Sequence, residues 1–182
     1  GLGREKRIAL YDTLVEHQTV PEVTAVLAHE MGHYKKNHIL KSFLLGVAQS
    51  GLMFFLLSFF ISEPALFEAF YMQQPSVYAG LVFFALLYAP LDFLTGILMQ
   101  LFSRKNEFEA DRFAADTTSE PNAIATALRK LAVHNLTNLT PHPFYVFLNY
   151  SHPPVLQRLR AITNRVAQRA RFTAHSPRPL EP

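Results

Sequence analysis

Residues 26–33 read Val-Leu-Ala-His-Glu-Met-Gly-His, and the histidines at 29 and 33 are spaced to share one metal ion. On an α-helix, residues four apart lie on one face a turn apart, so the imidazoles of His29 and His33 reach the same point. Glu30 sits roughly 100° further round the helix, beside such an ion rather than on it. That is the place for a general base working on a metal-activated water. The flanks agree with this reading. Val23, Val26 and Leu27 make the preceding turns apolar, and Gly32 leaves room beside the second histidine. The chain has no cysteine, so thiolate ligation and disulfides are excluded and a zinc site must use histidine and carboxylate.

Two histidines leave a catalytic zinc one protein ligand short, and a carboxylate from a second helix is a common third. Glu107, Glu109, Asp111 and Asp116 are the candidates, all within the helical stretch 103–116. Glu107 and Asp111 share a face at i, i+4, which makes Glu107 the expected ligand and Asp111 a carboxylate orienting a ligand from behind. Glu109 points about 200° away from Glu107 and reads as an exposed helix residue. His38 is a candidate for supporting a ligand or lining the cavity.

These two segments need elements to hold them. Arg4 to Tyr11 ends in a short β-like alternation with Ile8 and Leu10 on one side. Asp12 or Thr13 can cap a short helix through His17. Thr19 is placed to cap the motif helix, with Pro21 and Glu22 in its first turn, and that helix is expected to run on through His38. Further helices are expected over 103–116, over 121–135, and from the turn Ser151-His152-Pro153-Pro154 onward. Residues 138–143 read as a loop, 144–150 as a short aromatic segment, and 171–182 as a disordered tail.

Between the two ligand segments lie two long apolar runs, 42–61 and 76–102, joined by the connector 62–75. Each is long enough to cross a bilayer's hydrocarbon core as a helix. The composition fits: 49% hydrophobic and 17% charged residues, with a mean hydropathy of +0.10. The net charge is +3, but the basic residues bracket the apolar runs rather than forming one patch, which argues against nucleic acid as a partner. Lys35, Lys36 and Lys41 precede the pair, Arg104, Lys105 and Arg112 follow it, and no Lys or Arg lies between Ser42 and Ser103. The positive-inside rule then puts both outer ends on the cytoplasmic side, so the chain returns to the face that holds His29 and His33. Asp92, near Pro90 in the second run, reads as a polar residue hydrogen-bonded to a neighbouring helix, with the lining of a hydrated cavity as the alternative. The expected organisation is a motif-bearing segment 1–41, a transmembrane hairpin 42–102, a third-ligand and C-terminal helical part 103–170, and the tail.

With these segments in hand, the chain resembles the Ste24-type CAAX prenyl protease family, integral-membrane zinc metallopeptidases of peptidase family M48. The resemblance rests on residues 27–38, on Ser-Arg-Lys-Asn-Glu-Phe-Glu-Ala-Asp at 103–111 and on Tyr-Ser-His-Pro-Pro-Val-Leu-Gln-Arg-Leu at 150–159. It implies a mainly α, zincin-like membrane fold with the hairpin inserted between the motif helix and the third-ligand helix. It also implies one zinc ion on His29, His33 and Glu107, with Glu30 as the catalytic glutamate. Asp111 falls on the family's supporting aspartate, His152 on a histidine near the substrate carbonyl, and Arg158 on an arginine of the same C-terminal segment. The implied substrates are peptides or proteins at the bilayer, prenylated CaaX-type ones among them, met on the cytoplasmic side of a bacterial inner membrane or an endoplasmic reticulum membrane. An HtpX-like quality-control protease and a catalytically silent membrane scaffold are the competing readings. Family members carry further spans and a substrate-binding edge strand upstream, so the chain is expected to lack an N-terminal part of its parent.

Overall fold

A proline in the first turn and a side chain folded back on the cap start the helix that carries the motif. In the computed structural model, which describes residues 8–175, this helix (α2) spans Val20–Lys35 with Thr19 as its N-cap, as the sequence indicates. The Thr19 N–H and hydroxyl both donate to Glu22 Oε2, at 2.7 and 3.0 Å, so a helix-start amide is satisfied locally. Before it, α1 (Asp12–His17) is capped at Tyr11 rather than at Asp12 or Thr13, and Asp12 sits in the first turn. Residues 8–11 form no strand, and among the described residues there is none for them to pair with; residues 4–7 of that expected alternation lie outside the described residues.

The motif helix does not reach His38. It stops at Lys35, the Lys36 N–H donates to Gly32 O at 3.0 Å, and Asn37 takes a left-handed φ of 57°. Asparagine tolerates that conformation better than most non-glycine residues, so it ends one helix and lets His38 begin the next. That next helix, α3, runs His38–Phe60, followed by α4 (Pro64–Ala69) inside the expected connector, with Pro64 in its first turn. Helix α5 is continuous over Val77–Thr117 and takes Pro90 in its interior. The second apolar run and the third-ligand segment thus belong to one helix in sequence. Three shorter stretches complete the chain: α6 (Ala123–His134), α7 (Pro143–Asn149) and α8 (Val155–His175). The segment 144–149 is therefore helical, with Tyr150 as its C-cap and His142 as its N-cap, whose Nδ1 accepts from the Phe144 N–H at 3.3 Å. Helix α8 continues five residues into the expected tail, because no proline follows Pro154 until Pro177; residues 176–182 lie outside the described residues.

The chain divides into two compact units, one made of the residues up to Ile39 with those from Gln100 on, the other of Leu40–Met99. The first is built on small side chains. Ala25 and Ala28 of α2, Ala114 and Ala115 of α5, and Ala123, Ala125, Ile124 and Leu128 of α6 form one buried cluster with Ile162 of α8. Alanines at helix contacts shorten interaxial distances, which is what ligands on separate helices require. In the second unit, Phe70 and Phe83 stack at 3.9 Å and Phe67 is buried. Gly80 is needed there, since a Cβ would stand 2.9 Å from Ile61 O. The Gln49 amide donates to Asp92 Oδ1 at 3.2 Å and to Thr95 Oγ1 at 3.1 Å, so Asp92 is hydrogen-bonded to a facing helix.

Helices α3 and α5 are long and apolar enough to cross a membrane, and none of the best 18-residue window of α3 is buried. Twenty-three residues of helix extend about 34 Å, a little more than a hydrocarbon core. Phe43, Leu44, Phe54, Phe55 and Phe59 face outward rather than into a protein core, which fits a bilayer and not the buried hairpin of a soluble bundle.

The first unit is tied across α2 and α6 by Lys130, whose ammonium donates to the buried Glu22 Oε2 at 2.6 Å. Burial pushes the Glu22 carboxyl up, but the Lys130 and Thr19 hydrogen bonds outweigh it and hold the pKa at about 2, against an ordinary 4.5. A depressed carboxylate stabilises the fold above its unfolded pKa and stops doing so as pH falls through the folded one. Lys130→Met is expected to lower stability by about 1–2 kcal/mol at neutral pH, after discounting for the half-exposed lysine. In pH-dependent thermal unfolding, the gap between the two proteins should close between about pH 4.5 and pH 2.

Candidate metal centre

His29 and His33 project from one face of α2, and their Nε2 atoms stand 3.1 Å apart. Glu107 comes from α5, with Oε2 3.7 Å from His29 Nε2 and Oε1 3.4 Å from His33 Nε2. Four ligands at about 2.0–2.1 Å from a tetrahedral ion are separated by roughly 3.3 Å, and the three observed spacings bracket that edge. Among the described residues this is the group of three whose donor atoms converge closely enough to hold an ion. The donor set, two imidazoles and a carboxylate, suits zinc.

Both histidines are held from behind. His29 Nδ1 lies 2.9 Å from Asp111 Oδ1, within hydrogen-bonding distance. Asp111 is 1% exposed and takes a two-pronged grip from Arg158 of α8, Nε to Oδ2 at 2.7 Å and Nη2 to Oδ1 at 2.6 Å. The third nitrogen, Nη1, is 3.1 Å from Glu107 Oε2, so one guanidinium spans both carboxylates. Burial works to lower the Arg158 pKa, but the hydrogen bonds and charge of Asp111, then the charges of Glu107 and Glu30, raise it above its ordinary value. His33 is backed differently, its Nδ1 lying 3.0 Å from His38 Nδ1, while His38 Nε2 lies 3.3 Å from Glu109 Oε2.

Glu30 and His152 complete the surroundings. Glu30 is exposed and lines a cavity of about 410 Å³ together with His29, His33, Glu107, His152 and Arg158. The His152 side chain is 66% exposed, with Nε2 3.6 Å from Glu107 Oε1 and Nδ1 3.0 Å from Ser151 Oγ. The turn that carries it is anchored by Arg104 of α5, which donates to the carbonyls of Val146, Phe147 and Tyr150 at the end of α7. The Phe147 carbonyl is of the kind a helix end leaves without an intrahelical partner, whereas Val146 O also accepts from the Tyr150 N–H at 3.1 Å.

Of the sequence-selected residues, His29, Glu30, His33, Glu107, His152 and Arg158 line one cavity, while Asp111 lies beside His29 and His38 beside His33. Asp116, a candidate third ligand, stands apart, gripped by Arg165 Nε and Nη2 at 2.7 Å each. Two participants escaped the sequence reading. Glu109 is only partly exposed and lies against His38, which the turn at Asn37 presents to α5. Arg104, in sequence a charge flanking an apolar run, holds the turn that carries His152.

Comparison with known proteins decides the family. The model of Peptidase family M48 matches residues 1–166. The chain belongs to peptidase family M48. Among M48 relatives, the CAAX prenyl protease 1 homolog of Dictyostelium discoideum is 37% identical over 92% of this chain and 39% of its own length. The CAAX prenyl protease 1 of Saccharomyces cerevisiae is 31% identical over 86% of this chain and 38% of its own. The crystal structure of S. mikatae Ste24p superposes with a TM-score of 0.75 at 31% identity, covering 89% of this chain and 40% of that one. The chain therefore spans about two fifths of the length of these relatives. The fold class is settled by the same match: all-helical among the described residues, of Ste24 type, with two helices able to cross a membrane.

Gly32 is what lets α2 and α5 meet at the ligand level. A Cβ there would stand 3.1 Å from both Ala110 Cα and Phe113 Cβ, so the helices would have to part by a few tenths of an ångström. Gly32→Ala is expected to cost a net of about 0–2 kcal/mol, the overpacking of about 1–3 kcal/mol less the ~1 kcal/mol gained in helix propensity. It should also weaken metal binding in equilibrium dialysis. Gly96→Ala, where nothing lies within 4 Å, should leave both measurements unharmed.

Proposed function

We propose that the chain carries the catalytic centre of a zinc metalloendopeptidase that cleaves membrane-associated substrates, C-terminally prenylated CaaX-type ones in particular. The carrying observation is the convergence of His29 Nε2, His33 Nε2 and the Glu107 carboxylate on one point in a cavity that Glu30 also lines. His29, His33 and Glu107 would hold one zinc ion per chain. A zinc ion bound there supplies Lewis acidity and brings the pKa of a coordinated water to about 7.

The chain's own residues do the rest. Glu30, exposed to the cavity, takes the water's proton and delivers it to the leaving amine. Asp111 fixes the ring of His29, and Arg158 keeps Asp111 and Glu107 in their ionised forms by spanning them. His152, at the open side of the cavity, donates to the oxyanion that develops on the scissile carbonyl. The relatives' name, CAAX prenyl protease 1, supports the substrate class. The basic residues flanking the apolar runs support a multi-pass membrane protein whose zinc centre faces the cytoplasm.

Glu30→Gln keeps the size of the side chain and removes the base. The variant is expected to hold zinc at the wild-type ratio while cleavage of a farnesylated CaaX peptide falls roughly 10²–10⁴-fold. Chelation should abolish the wild-type cleavage and added zinc restore it. Cleavage that survives Glu30→Gln, or a wild-type chain that takes up no zinc, contradicts the proposal.

A further inference from the structure

His38 is a buried titratable side chain beside the candidate metal centre for which the proposed mechanism has no use. It is 2% exposed, and a buried imidazole is costly unless its ring nitrogens find partners. Here Nδ1 lies 3.0 Å from His33 Nδ1 and Nε2 lies 3.3 Å from Glu109 Oε2. The ring centroids are 5.0 Å apart and the planes lie at 77°, so the rings do not stack, and the spacing suits an end-on N–H···N contact.

Given the ligand role proposed for His33, on which this inference rests, one proton arrangement is self-consistent. A ligand uses the Nε2 lone pair, so the His33 proton sits on Nδ1 and is donated to His38 Nδ1. His38 then carries its proton on Nε2 and donates it to the Glu109 carboxylate. We propose that His38 and Glu109 form a positioning relay that fixes the tautomer and ring plane of His33, as Asp111 does for His29. The two ligand histidines are then inequivalent: His29 has a carboxylate directly behind it, and His33 has one a ring further away. The second neighbour of Glu109, Lys105, is 3.9 Å away and largely exposed, a contact too weak to order the carboxylate. Two features of the fold serve the relay. The left-handed Asn37 releases His38 from the motif helix, and Glu109, two residues from Glu107, occupies the α5 face that His38 reaches.

The test is zinc affinity, by competition with a chromophoric chelator, and the visible spectrum of the cobalt-substituted chain, with helicity monitored by circular dichroism. His38→Leu fills the space without an acceptor and is expected to weaken zinc binding roughly 10–100-fold and shift the cobalt bands. His38→Asn places an amide oxygen near the former Nδ1 and should recover most of that affinity. Glu109→Ala is expected to weaken binding a few-fold, and Lys105→Ala to change nothing. If the wild type binds zinc and His38→Leu binds equally well, or Leu and Asn weaken it alike with an unshifted cobalt spectrum, the relay is overturned and the zinc centre stands. A wild-type chain that binds no zinc overturns the metal-site reading itself, and the relay with it.

Discussion

The site depends on one buried carboxylate. Asp111 is 1% exposed and joins three helices: its own α5, α2 through His29 and α8 through Arg158. A desolvated charge of this kind destabilises a fold unless it is paired and hydrogen-bonded, and the Arg158 fork supplies both. Because Arg158 also reaches Glu107, the aim of a proposed ligand, the ring orientation of its neighbour and the docking of the C-terminal helix are one interaction. Replacing such a group with a well-packed apolar residue could preserve the fold. It could not orient an imidazole.

Charge balance explains why these residues are together. Glu107 and Asp111 carry two negative charges against the single positive charge of Arg158, and Glu30 adds another on the cavity side. Two imidazole nitrogens facing each other at 3.1 Å add lone pairs to the same small volume. A divalent cation held there would offset this surplus. The close helix contacts that make the volume small come from Gly32 against Ala110 and from the alanine cluster beneath. Size and charge are thus set by different residues acting on the same helices.

The parts legible in the sequence are those governed by short-range periodicity. The i, i+4 histidines, the Thr19 cap, Glu107 paired with Asp111, and the two long apolar runs all follow from helix geometry or bilayer thickness. The start of α8 after Pro153-Pro154 belongs with them. The parts that were not legible depend on where the chain turns. Ending α2 at Lys35 needs Asn37 in a left-handed conformation, and a helix through His38 satisfied the local pattern equally well. Once that turn is made, Glu109 acquires a partner 71 residues away, which no window on the sequence contains. Arg104 is similar: its role is to satisfy carbonyls at the end of α7, a helix read only as an aromatic segment.

The central claim is that two imidazoles and one carboxylate of this chain surround a single zinc ion. Zinc K-edge X-ray absorption on the chain purified without chelators tests it directly. The account predicts a sulfur-free shell containing two imidazole nitrogens and carboxylate or water oxygen at about 2.0–2.2 Å, reduced to one imidazole by His33→Ala. A shell without two imidazoles, or one that His33→Ala leaves unchanged, contradicts it.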